Sequence, residues 1–402
     1  MKLLPAIPRL SRRARWAVPA GAVAVVAAVT AASVTTAAAA SPVLPARTPA
    51  ELLTALASHA GPPPAMSGTV VESAALGIPQ LPGEENPSSV LSMLTGSHTF
   101  RLWYADPAHL KLQLPTPLAE TDVIRNGRTA WIWQSSSDSV QRIVVPAHQV
   151  KPGTAVPGGA PSQVTQLTPQ QAAQKALAAV GPSTSVTSGP TTTVAGQDAY
   201  QLVIAPKDHR SLVGKVVIVL DAQHPAVPLE VQVFARGASS PAFQTGFTSI
   251  TFGAPPASTF AFTPPKGASV HTVTPMEHSA RAPQASRPDT AGVKVIGRNW
   301  LSVAVLPASA LSALTQGGNA AGALGQAAQS AAAGPGSGPG GGVDAAGVLA
   351  GLLRSATHVS GAWGSGRLVK TSLVSMLITS NGHVLIGAVA PSVLYSAAAH
   401  AG

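Results

Sequence analysis

Cysteine is absent from the 402 residues, and both charge and aromatics are scarce: 10% of the chain is charged and 4% aromatic. Without a thiol the chain has no disulfide, no thiolate metal site, no cysteine nucleophile and no lipidated N-terminal cysteine. Fifteen carboxylates leave little acid–base chemistry to arrange, and the paired Glu84 and Glu85 fall in the proline-bounded loop "LPGEENPSS". The eleven histidines contain no H-E-x-x-H and no pair spaced i, i+4. His209 follows Asp208, but in the turn-like "PKDHRS". A G-x-S-x-G elbow is missing too, and the glycine-rich "GAWGSGRLVK" lacks the spacing of a phosphate loop. An enzyme is therefore not expected, and no cofactor is implied.

The formal charge is +10, but Lys2, Arg9, Arg12, Arg13 and Arg15 supply five of those charges. The remaining basic residues are scattered, with no stripe that interleaves them with aromatics, so nucleic acid is not expected as a partner. From Trp16 to Ala46 no residue is charged. A basic start followed by a weakly hydrophobic Ala/Val stretch, with "AAAAS" offering a cleavage site after Ala40, reads as a signal peptide or as an N-terminal transmembrane anchor. Either way the charge order places the remainder outside the cytoplasm, secreted or associated with the cell membrane.

Beyond it, "TPAELLTALASHAG" (48–61) has the grammar of a helix: Thr48 as N-cap, Pro49 at the first helical position, and Glu51 completing a capping box. "TPQQAAQKALAAVGP" repeats it with Thr168 and Gln171. Between and after these helices run short alternating segments, among them 67–76, 98–105, 109–115, 120–127, 129–136 and 139–146, separated by Asp-Pro, Asn-Gly or Ser/Asp turns. They predict antiparallel strands, resumed by "AYQLVIAP", "LVGKVVIVLD", "PLEVQVFAR" and "FQTGFTSITFG". The proline-rich stretch 264–292 reads as a linker. A small second unit, 293–402, contains the Gly/Ala tract 331–344 and ends in a hairpin around Asn381-Gly382.

On a strand, residues two apart share a face. Phe100, Leu102 and Tyr104 make one apolar row, Leu110, Leu112 and Leu114 another, and Trp131 and Trp133 a third. So many strands against two helices leave apolar surface that a second sheet, a partner or an apolar ligand must cover. Ordinary core packing of the rows is the plain alternative.

The ordered patterns "MSGTVVESAALGIPQLP", "FRLWYADPAHLKLQL", "DVIRNGRTAWIWQSSSDSV", "VIVLDAQHPAVPLEVQVFA" and "FTPPKGASV" resemble the LolA/RseB (MucB)-like lipoprotein-carrier superfamily. The resemblance spans roughly residues 48 to 270 and continues more faintly into the C-terminal unit. It implies an α+β fold: a half-barrel antiparallel β-sheet wrapped over a few helices (47–270), preceded by the signal or anchor (1–46), then a linker (271–292) and a small C-terminal α+β domain (293–402). It further implies a non-enzymatic carrier or sensor at the membrane that binds the acyl chain of a lipid or lipoprotein. The alternative is a regulator that binds a membrane-bound anti-sigma factor. Phe100, Leu102, Tyr104, Leu110, Leu112, Leu114, Trp131 and Trp133 are the expected lining.

Overall fold

Alternation with period two becomes strand wherever turn residues bound it. The computed structural model describes residues 42–57, 62–77, 95–116, 118–144, 180–273, 294–307 and 356–400, together with Thr168, Gln171 and Ala173. A meander of β1 (Met66–Ala75), β2 (Thr95–Asp106), β3 (His109–Pro115), β4 (Glu120–Asn126), β5 (Thr129–Gln134) and β6 (Ser139–Val144) occupies the first part. The turn into β5 has Gly127 at φ 60, a conformation that suits glycine at the first position of a two-residue hairpin turn. β7 (Thr184–Ser188) and β8 (Thr192–Val194) both pair with β9 (Gln197–Pro206), which leads into β10 (Val213–Asp221), β11 (Pro228–Ala235) and β12 (Pro241–Phe252). β12 pairs antiparallel with β1, so the two meanders join into one sheet whose path runs from β13 (Ser269–Val273) to β7 without closing.

β13 pairs parallel with β6, and the other pairings in this sheet are antiparallel. It lies inside the stretch read as a linker. Its "SVHTV" is a strand because β6 offers an unpaired edge, which composition cannot reveal. Residues 274–293, the Gly/Ala tract and the basic and apolar N-terminus up to Ser41 lie outside the described residues. Among the described residues no helix is long and apolar enough to cross a membrane.

Helix α1 (Pro49–Ala57) starts as its sequence dictates. The Glu51 carboxylate accepts the Thr48 backbone N–H at 2.7 Å, and the Thr48 hydroxyl accepts the Glu51 N–H at 3.2 Å. The second box is formed too, with Thr168 N–H donating to Gln171 Oε1 at 3.1 Å and Gln171 N–H to Thr168 Oγ1 at 3.2 Å. Leu52 and Leu56 of α1, with Ala173, are buried against Leu202 and Ile204 of β9 and Ile218 and Leu220 of β10. We call this the inner face of the sheet.

A smaller sheet follows: β14 (Lys294–Ile296), β15 (Val303–Leu306), β16 (Thr357–Gly361), β17 (Gly364–Lys370), β18 (Ser375–Thr379) and β19 (Val384–Gly387), in the order β14-β15-β19-β18-β17-β16. Helix α2 (Pro391–Ala398) buries Leu394, Ala397 and Ala398 against Val303, Val305, Leu377 and Leu385. The β18–β19 hairpin has three residues in its turn, not two: Thr379 N–H donates to His383 O at 2.9 Å, and Gly382 sits at φ 86. One residue in the left-handed region after a tight turn is what a three-residue loop requires.

The second sheet is fixed to the first. Leu212 N–H donates to Ala388 O at 2.9 Å, Ala390 N–H to Arg210 O at 2.7 Å, and the Trp300 indole N–H to Thr184 Oγ1 at 2.8 Å. Leu373 joins the cluster around α1, with Trp300 and Val374 packed beside it. Part of the apolar surface left over by the scarcity of helices is thus covered by a second sheet.

Candidate functional site

Register sorts the expected lining residues into two groups. Leu102 lies opposite Leu112 and Tyr104 opposite Leu110, and Phe100 and Leu114 continue the same rows. Phe100 is also opposite Val70, whose partner on β12 is Phe247. From Phe247 the face passes through Thr245 to Val231, which packs in the cluster with α1, so these six residues lie on the inner face.

Trp131 and Trp133 do not. Trp131 pairs with Ile124 and Trp133 with Asp122, and those pair in turn with Lys111 and Gln113, the polar side of β3. The indoles therefore stand on the outer face, and the eight residues do not make one lining. What covers Trp131 is the chain itself. The 3-10 turn Ala257–Phe260 packs against β3 and β4, with the Phe260 ring 5.8 Å from His109, and Phe262 lies 5.5 Å from Trp131. Phe260 is 2% exposed, and Trp133, two residues beyond Trp131 on the same face, is 8% exposed. Arg142 places its guanidinium 5.5 Å from the Trp131 ring centre, closing its side. The missed signal was parity. The two-residue turn after Asn126 and the four-residue turn after Pro115 carry the odd residues of β5 onto the odd residues of β3.

On the inner face, burial grades along the rows. Phe100 and Leu114 are buried, as are Val123, Ala130, Ile132 and Ile143 of the neighbouring strands, but Leu102, Tyr104, Leu110 and Leu112 are only half-buried. These four form a two-by-two patch across β2 and β3. Burial raises the pKa of the Tyr104 hydroxyl, helped by the charge of Asp106, so it stays neutral on this patch. Leu110 belongs to none of the apolar clusters, although its neighbours Leu102, Tyr104 and Leu112 flank one.

The outer face is more polar toward β12. Among the hollows formed by described residues are one of about 160 Å³ over β12, β1 and β2, and one of about 80 Å³ beside Trp363 in the second sheet. Both are smaller than the roughly 300–1,000 Å³ usual for a drug-sized ligand. Among the described residues no group of three or more His, Asp or Glu is placed to hold a metal ion.

Glu230 on β11 is a further half-buried group of the outer face. It accepts the Gln232 side-chain N–H at 2.8 Å and fits because Gly246 lies opposite; a Cβ there would come within 2.9 Å of Glu230 Cγ. Burial raises its pKa, and the Gln232 bond offsets this only in part. A folded pKa above the unfolded one gives stability that is fully present below the unfolded value and lost as pH rises through the folded value. Glu230→Gln is therefore expected to melt at a higher temperature than the parent at pH 7, with the difference vanishing below about pH 4, near the ordinary glutamate value. Calorimetry at the two pH values checks it.

An open, mostly antiparallel sheet with few helices, joined to a smaller sheet, is the class the geometry defines. Among solved structures, MucB in the Pseudomonas aeruginosa MucA/MucB complex is similar to this chain at 14% identity, covering 87% of this chain and 96% of that one with a TM-score of 0.38. A structure of MucB alone gives 13%, 86%, 94% and 0.35. A LolA superfamily protein from Nitrosomonas europaea gives 12%, 54%, 99% and 0.21. No family model and no curated protein matches the chain.

Proposed function

We propose that the inner face over β2 and β3 receives the acyl chain of a lipid or lipoprotein, and that the protein is a non-enzymatic carrier or sensor acting outside the cytoplasm at the cell membrane. The observation that carries this reading is the two-by-two patch of Leu102, Tyr104, Leu110 and Leu112: contiguous, apolar, half-buried, and bordered by fully buried side chains. Each methylene contributes up to about 0.8 kcal/mol as it is buried, so an acyl chain needs no specific polar contact to bind.

Native mass spectrometry with solvent extraction, on protein purified from a bacterial envelope without detergent, is expected to find a co-purifying lipid. The double variant Leu102→Gln, Leu110→Gln should hold more than about tenfold less of it, since two leucine contacts are removed. Trp131→Gln, on the other face, should hold as much as the parent. An empty parent, or equal lipid in the double variant, overturns the reading.

A second reading, a regulator that grips a membrane-bound protein, is favoured by the build of the second sheet. It is hydrogen-bonded to the first through Leu212, Ala390 and Trp300, and its edge strand β16 is largely exposed. Crosslinking from β16 to a membrane protein in cells is the result that would support it.

A further inference from the structure

The larger hollow lies on the outer face, away from the acyl patch, and register builds it as a small grid. Thr251 on β12, Ser67 on β1 and Trp103 on β2 form one row; Ser249, Thr69 and Arg101 form the next. Four hydroxyls side by side make its floor, with an indole and a guanidinium along one edge. None of the four hydroxyls, nor the Arg101 guanidinium, has a hydrogen-bond or ion-pair partner among the described residues, and Arg101 is exposed. Lys111 is the other cation nearby, but it is paired with the buried Asp122 at 3.2 Å and sits 5.7 Å from the Trp103 ring centre. Trp103 also lines the hollow.

We propose that this grid is a binding site for a sugar that bears a carboxylate, such as a hexuronic acid. Three features select that chemistry. A row of hydroxyls that donate and accept suits the hydroxyls of a sugar ring. An indole offers an apolar, electron-rich face to the ring's C–H side. A guanidinium forks onto a carboxylate through two parallel hydrogen bonds. The charge count decides between anions: with Lys111 neutralised by Asp122, one positive charge remains, which matches a carboxylate better than a doubly charged phosphate. The hollow of about 160 Å³ is open on one side, so one ring fits with its chain continuing outward. This site is independent of the acyl patch and would stand if that reading failed.

Titration calorimetry of the full-length protein at low salt tests it, with glucuronate as the probe and glucose, acetate and glucose 6-phosphate as comparisons. Glucuronate is expected to bind at least about tenfold more tightly than glucose or acetate, and Arg101→Gln should remove that advantage. Arg101 is exposed and unpaired, so the variant should melt as the parent does. Thr69→Leu, which fills the floor, should abolish binding with Arg101 still in place. No binding of glucuronate, equal binding by Arg101→Gln, or tighter binding of acetate or of the phosphosugar than of glucuronate each overturns the proposal.

Discussion

Trp133→Ala is expected to destabilise the protein by about 3–5 kcal/mol and to leave any bound lipid in place. Trp133 is 8% exposed on the outer face, between Asp122 on β4 and Val140 on β6, and Val140 is wholly buried. Removing the indole leaves a void where an almost wholly buried ring lies beside Val140. It also brings water to Asp122, whose Oδ2 is paired with Lys111 and whose Oδ1 has no hydrogen-bond partner among the described residues. Trp131→Ala should cost less, because that ring is only half-buried and Arg142 covers one side. Chemical denaturation followed by circular dichroism measures both. A loss under about 1 kcal/mol for Trp133→Ala, outside the range for large buried aromatics, would mean that Trp133 is not part of a packed core. Loss of lipid at unchanged stability would return the indoles to the ligand.

Leu52→Ala is the second large effect, at about 2–5 kcal/mol. Leu52 is fully buried among Leu202, Ile218 and Leu220, and it is the side chain that seats α1 on the inner face. A helix of nine residues is too short to persist alone, even with its capping box formed. Weakening its seat should therefore release it before the sheet opens. Hydrogen exchange should show the amides of 52–57 exchanging faster in the variant, while those of β9 and β10 keep most of their protection. If the helix and both strands lose protection together, α1 is part of the cooperative core and not a separable plug.

The Trp131 and Trp133 pair marks the limit of what strand periodicity determines. That two residues apart share a face follows from strand geometry alone, and it holds here. Which face they share depends on register through two turns, and Trp131 is then covered by Phe262, more than a hundred residues later. The leucines of β3 were easier, because Lys111 and Gln113 alternate with them and mark the polar side within the strand itself. β7 and β8, rich in Thr and Ser, and β13, in a proline-rich neighbourhood, carried no apolar alternation; each is a strand because a neighbouring edge had unpaired N–H and C=O groups to satisfy.

Local chemistry was determined by the sequence itself: the two capping boxes, the turn glycines and the alternating β strands, all set by hydrogen bonds and sterics among residues a few positions apart. Tertiary structure alone decided how the apolar surplus is covered. The inner face at β9 and β10 is closed by α1 and by Leu373 of the second sheet, and the outer face at β5 by the chain's own phenylalanines. The patch on β2 and β3 is left half-covered. Hydrophobic burial is non-directional, so a sequence shows how much apolar surface needs a partner but not which distant segment supplies it.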